Sequence, residues 1–159
     1  MEEIRFDDID ALRAKISEEF GDWGREMEVT QEMVNQFADL TGDHQWIHID
    51  VERSKKDSPF GGPIVHGFFT LSLLPYIGGA SGFAVTGYGN VTNYGADGLR
   101  FLSPVPCGST VHAHSRLIDV QAKPKGTLLT NETAVHVVGS ERPALIYKGL
   151  TLYNPPIGG

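Results

Sequence analysis

The stretch from Ile64 to about Gly79 constrains the fold most. It holds Ile64, Val65, Phe68, Phe69, Leu71, Leu73, Leu74, Tyr76 and Ile77, and no Asp, Glu, Lys or Arg. A helix this apolar is expected to be buried. It falls short of a membrane span, so it must find a large apolar surface within the chain. A chain of 159 residues is long enough to build one. Pro75 removes a backbone donor and is expected to bend or shorten the helix. The small residues from Gly78 to Gly82 are expected to end it.

The surface comes from the second half. Val91 to Tyr94, Leu99 to Leu102, Thr110 to Gln121, Thr127 to Val138 and Ala144 to Tyr153 read as strands. Gly- and Pro-rich turns separate them, such as Lys123-Pro124-Lys125-Gly126. From Thr110 onward, Val111, Ala113, Ser115 and Leu117 alternate with His112, His114 and Arg116, so one face is buried and one is wet. Long strands joined by short turns predict an antiparallel meander. The fold class is α+β, a curved antiparallel sheet wrapped around a long central helix.

Upstream, Asp7 or Asp8 can cap a helix with Ile9, Leu12, Ile16 and Phe20 on one face and Gly21 as its stop. Residues 1–27 thus read as an N-terminal helical extension, and 28–159 as one domain. Trp23 to Val29 reads as extended. Thr30 caps a helix bearing Met33, Phe37 and Leu40, which Gly42 ends. Asp50 caps a short charged helix from Val51 to about Asp57, and Ser58 to Pro63 is loop.

Net charge is −7, and residues 1–28 hold ten acidic against four basic residues. The acidity therefore belongs to the N-terminal segment, and no basic stripe points to nucleic acid. Cys107 is the only cysteine, which excludes an internal disulfide. No apolar run suits a membrane span and the first residues do not resemble a signal peptide, so a cytoplasmic protein is expected.

The chemistry concentrates in Thr41-Gly42-Asp43-His44-Gln45-Trp46-Ile47-His48. A carboxylate and an imidazole five residues apart, just past a helix stop, can be aimed at one water for acid–base work near neutral pH. The plainer reading is an Asx-type turn with two surface polar groups. Asp43, His44, His48 and Asp50 could be written as a metal set, but the glutamate of a His-Glu-x-x-His motif is missing, and no metal is expected. His66 reads as a residue that fixes its loop. His112, His114 and His136 read as half-exposed sheet residues. Cys107 has no neighbouring base in sequence to activate it.

These residues resemble the MaoC-like (R)-specific enoyl-CoA hydratases, which have the hot-dog fold. That family's run of aromatic, spacer, Thr or Ser, Gly, Asp, any residue, Asn, Pro, aliphatic, His is matched by Phe37 and by Thr41 through His48. Its Phe-Gly-x-Pro-Ile-x-His-Gly landmark stands as Phe60 through Gly67. A third landmark stands as Asn93-Tyr94-Gly95, Leu99-Arg100-Phe101 and Pro104-Val105. Gln45-Trp46 and the run Thr70 to Pro75 resemble the nodulation protein N branch. The likeness spans about Glu28 to Tyr153.

The resemblance implies that Asp43 and His48 hold a water for addition to a trans-2-enoyl thioester. It implies that the Gly67 N–H receives the thioester oxygen and that Gln45 orients the water or His48. Trp46, Ile64, Val65, His66, Phe68 and Phe69 are then expected to line the substrate site. No cofactor is expected. The partners implied are an acyl-CoA or acyl carrier protein thioester and a second copy of the chain. Gln45-Trp46 departs from the usual Asn-Pro, with a longer amide and a bulkier ring. Two alternatives stand beside this reading. A hot-dog thioesterase is disfavoured because no acidic residue lies between Asp57 and Asp97. A non-catalytic acyl-thioester-binding protein is the other.

Overall fold

In the computed structural model, residues 1–79 and 81–158 are described; Ala80, within the expected small-residue stop, and Gly159 lie outside them. Four long strands dominate: β4 (Asn90–Phe101), β5 (Thr110–Lys123), β6 (Gly126–Val137) and β7 (Leu145–Asn154), with the short β2 (Met27–Glu28) beside β5. The order is β2-β5-β6-β7-β4, and every neighbouring pair is antiparallel. Only β5 to β7 form the expected meander. β4 crosses over to pair with β7 and becomes an edge. It is also one strand where the sequence reads as two, because its register shifts between Asn93 and Gly95 and again between Ala96 and Gly98. Such shifts break the alternation by which a strand is read.

The apolar stretch differs from expectation. It forms α5 (Gly67–Ser72) and α6 (Leu74–Ile77), two short helices and not a long one. Pro75 sits in the first turn of α6, where a missing N–H leaves no bond unmade. Nor is the segment buried all round. Phe69, Thr70 and Ile77 face the sheet, while Phe68 and Tyr76 are exposed.

Residues 1–27 also depart from one long helix. Asp8 accepts from the Ala11 N–H and caps α1 (Ile9–Arg13), which ends before Ile16. A strand the sequence did not suggest, β1 (Glu2–Arg5), pairs in parallel with β3 (Phe83–Thr86). The chain from Ser17 to Gly24 then runs along the free edge of β5. There the N–H groups of Ser17, Gly21 and Gly24 donate to the carbonyls of Leu117, Ser115 and Ala113 at 3.1, 2.9 and 2.8 Å. Unpaired edge groups need partners, and this segment supplies them. Its Phe20 and Trp23 stack on His114 and His112, and His136 is buried rather than half-exposed.

Local signals held elsewhere. Thr30 caps α2 (Gln31–Thr41), and Gly42 ends it at φ +81°, a conformation that glycine takes without steric cost. Asp50 caps α4 (Val51–Asp57). The core joins α2, through Val34, and α5 and α6, through Phe69 and Ile77, to Val111, Ala113, Val135 and Leu145 of the sheet. A second cluster, Ile4, Leu12, Leu117, Val120 and Leu129, lies under α1.

Candidate active site

Gly42 turns the chain sharply after α2, and the next residues enter the short helix α3 (Trp46–Ile49). Asp43 stands exposed on the turn, and its carboxylate accepts from the Gln45 N–H at 3.4 Å. The Gln45 carbonyl accepts from the His48 N–H at 3.0 Å. Gln45 thus ties the two groups together through its backbone, and its side chain makes no capping bond.

His48 is 6% exposed. Its Nδ1 lies 2.7 Å from the Ile64 carbonyl. A carbonyl only accepts, so Nδ1 carries the proton and Nε2 keeps its lone pair. The Ile64 carbonyl is held in place because the Ile64 N–H donates to Ile47 and the Val65 N–H to Val105, at 3.0 and 2.8 Å. Burial holds His48 below the ordinary histidine pKa, and His66 adds to the effect; the Ile64 bond and Asp43 oppose it. The ring is therefore a neutral base near pH 7. His44 is a contrast: it is exposed, and Asp39 at 2.8 Å raises its pKa.

His66 links the two groups. Its Nε2 donates to the Asp43 main-chain carbonyl at 2.9 Å, and its ring stacks on His48 at 3.9 Å and 25°. It is 3% exposed, and its Nδ1 is buried without a partner. One ligand-capable atom each from Asp43, His48 and His66 lie within 4.8 Å of one another. Metal ligation needs the lone pairs of both imidazoles, which lie in the ring planes, to meet at about 2.0–2.1 Å from one ion. Face-to-face stacking sets those planes apart, so this geometry suits proton transfer better than a metal.

An apolar cavity of about 500 Å³ opens beside His48. Of the residues read from the sequence as site residues, Ile64, Val65, Gly67 and Phe68 line it; Trp46, His66 and Phe69 do not, among the described residues. Phe69 instead stacks on Phe37 at 4.8 Å within the core. Trp46 lies under the exposed Arg53 guanidinium, 4.2 Å from the ring centroid. Phe101 and Leu145 complete the cavity wall. Phe101 belongs to the third sequence landmark, whereas nothing local marked Leu145. Gln31, whose side chain donates to the His48 carbonyl at 2.7 Å, was also unmarked, because that contact spans seventeen residues.

Gly67 begins α5, and no side chain caps that helix. The first N–H groups of a helix have no intrahelical partner. A Cβ at Gly67 would lie 2.7 Å from the Phe101 ring, so only glycine fits without movement. A neutral imidazole and the start of α5, whose first N–H has no partner among the described residues, thus meet at an apolar cavity, with the Asp43 carboxylate beside the imidazole. Cys107 lies elsewhere, and burial pushes its thiol up to about 11, which suits no nucleophile.

The family model described as the MaoC like domain matches residues 17–138. The 3-hydroxyacyl-thioester dehydratase Z of Mycobacterium tuberculosis is 44% identical over 151 residues, 93% of this chain and 97% of that protein. Nodulation protein N of Rhizobium meliloti is 38% identical over 160 residues, 98% of this chain and 96% of that protein. The solved (R)-hydratase of A. caviae, involved in PHA biosynthesis, superposes with a TM-score of 0.64 over 85% of this chain and 96% of that one. At 23% identity it speaks for the fold, which is the hot-dog. The chain belongs to the MaoC-like dehydratase family.

Proposed function

We propose that the protein is a hydro-lyase that adds water to trans-2-enoyl thioesters and removes it from (R)-3-hydroxyacyl thioesters. The observation that carries this reading is His48, locked by Ile64 with a free Nε2, beside Asp43 and facing an apolar cavity that also holds Gly67. Asp43 and His48 hold the water and take its proton as oxygen bonds to C3. The C2–C3 π electrons pass toward the thioester, whose oxygen accepts from the Gly67 N–H. A proton delivered to C2 restores the thioester. The two groups act as one unit and titrate jointly. The dehydratase named among the relatives supports the same reaction, written in the reverse direction.

Crotonyl-CoA tests the reading. Hydration removes the conjugated alkene and its absorbance without releasing thiol, and an (R)-specific 3-hydroxyacyl-CoA dehydrogenase then oxidises the product. Thiol release instead would make the protein a thioesterase, and no change would leave a binding protein.

Two copies are proposed to pair through the exposed β4 edge, whose outer side has no partner strand among the described residues. A monomer by sedimentation at micromolar concentration would refute this. Acyl-CoA or acyl carrier protein supplies the substrate, and we place the enzyme in the cytoplasm. In support, no helix among the described residues is long and apolar enough to cross a membrane.

A further inference from the structure

The sheet face that carries the helices is not apolar throughout. At one end, Val111, Ala113, Val135 and Leu145 belong to the core under α2 and α5. At the other, Leu117 and Leu129 belong to the cluster under α1. Side chains alternate along a strand, so Ser115, Thr133 and Tyr147, paired in register, share this face between the two clusters. Asn131 follows on β6, and Thr151 pairs with Asn93 beside it. The two cores are thus separated by a band of hydroxyls and carboxamides.

A cavity of about 600 Å³ lies over this band, roofed by Leu71, Leu74 and Pro75 of α5 and α6. None of its lining residues is charged. Ser115 and Thr133 satisfy each other at 2.8 Å, and Thr133 is buried. Folding does not explain the band: a buried polar group gains at best a little over an apolar one, and only when fully hydrogen-bonded.

Position supplies a reason. α5 begins at Gly67, in the wall of the apolar cavity with His48, and α6 reaches Leu74 seven residues later. At the helical rise this is roughly 10 Å, the reach of a medium acyl chain. A chain laid along the two helices would pass from the apolar walls around Gly67 to the polar band under Leu71 and Leu74. A charged end would be dehydrated there without a counter-charge, and a plain alkyl end would leave hydroxyls and amides without partners.

We propose that this cavity receives the distal end of the acyl chain and selects one bearing an uncharged hydrogen-bonding group, a hydroxyl, ketone or amide. The proposal rests on the hydro-lyase reading for the identity of the chain that enters.

The test is calorimetric binding of two unreactive CoA thioethers, octyl-CoA and its analogue with a terminal hydroxyl. The hydroxylated ligand should bind about 2- to 10-fold tighter to the wild type, the worth of one net hydrogen bond. Asn131→Leu with Thr133→Val should abolish or reverse that ratio. Asn131→Leu alone, which leaves the Ser115–Thr133 pair intact, carries the same expectation if the double variant melts early. Equal or weaker binding of the hydroxylated ligand overturns the proposal, as does a ratio unchanged in the variants or no binding of either ligand. Failure of the hydro-lyase reading is seen separately, as crotonyl-CoA left unchanged while the binding ratio holds.

Discussion

Gly67→Ala probes the proposed oxyanion donor most directly. The added Cβ would sit 2.7, 2.8 and 2.9 Å from Cε1, Cδ1 and Cζ of Phe101. Real Cβ contacts are not that short, so the ring must move. Gly67 does not have a positive φ, so alanine meets no backbone strain, and it is a good helix former. The cost is therefore overpacking, about 1–3 kcal/mol if the ring is trapped. It falls to the low end here because Phe101 is half-exposed and can swing outward. At about 2–4 °C of Tm per kcal/mol for a chain of this size, the melting point should fall by a few degrees. Activity should fall much further if the thioester oxygen binds the Gly67 N–H as proposed, because the added methyl group narrows the approach to that N–H. Loss of one such donor costs about 10²- to 10³-fold in kcat. Adding Phe101→Ala removes the clash, so Tm should recover relative to Gly67→Ala while kcat stays low. Crotonyl-CoA turnover and differential scanning fluorimetry read the two effects. Full kcat in Gly67→Ala would show that the oxygen is stabilised elsewhere, and kcat recovered together with Tm would assign the defect to packing.

Asp43→Asn and His48→Ala should each lower kcat by about 10²- to 10⁴-fold, and the double variant should be little worse than the worse single, as crotonyl-CoA kinetics will read. For His48 the folded pKa lies below the ordinary value of about 6.5, so the unfolded chain binds more protons in between. Its contribution to stability is full above about 6.5 and is lost as pH falls from there toward the folded value. His112 and His114, also lowered by burial, act in the same sense, so Tm should fall on acidification through this window. The acid limb of kcat/KM should correspondingly lie below about 6.5, and a midpoint above it would contradict a desolvated His48. Phe69→Ala should cost about 3–5 kcal/mol, since the ring is 9% exposed, whereas Phe68→Ala at 66% exposure should leave Tm nearly unchanged and shift preference toward longer acyl chains. Melting curves and the octenoyl-to-crotonyl rate ratio separate the two.

Features that depend on a few neighbouring residues were legible in the sequence. The caps at Thr30 and Asp50, the stop at Gly42 and the alternation along β5 are set by backbone groups within one turn or one pleat, so residue type alone determines them. The same holds for the Asp43–His48 spacing, because the helix stop and turn that carry it are local. What only the tertiary structure decided are contacts across long stretches of chain. β1 finds β3 some eighty residues away, and β4 pairs with β7 and not with β5. Ile64 fixes the His48 tautomer from sixteen residues on. His66, read from the sequence as fixing its loop, closes on Asp43 and His48 only when α5 docks against α2. The break of the central helix before Pro75 was legible in the sequence, whereas the exposure of Phe68 depends on which side of that helix the sheet covers, a quantity no periodicity contains. Burial and register are properties of the packed whole, and they, more than residue type, make His48 a neutral base and join Ser115, Thr133 and Tyr147 into one polar band.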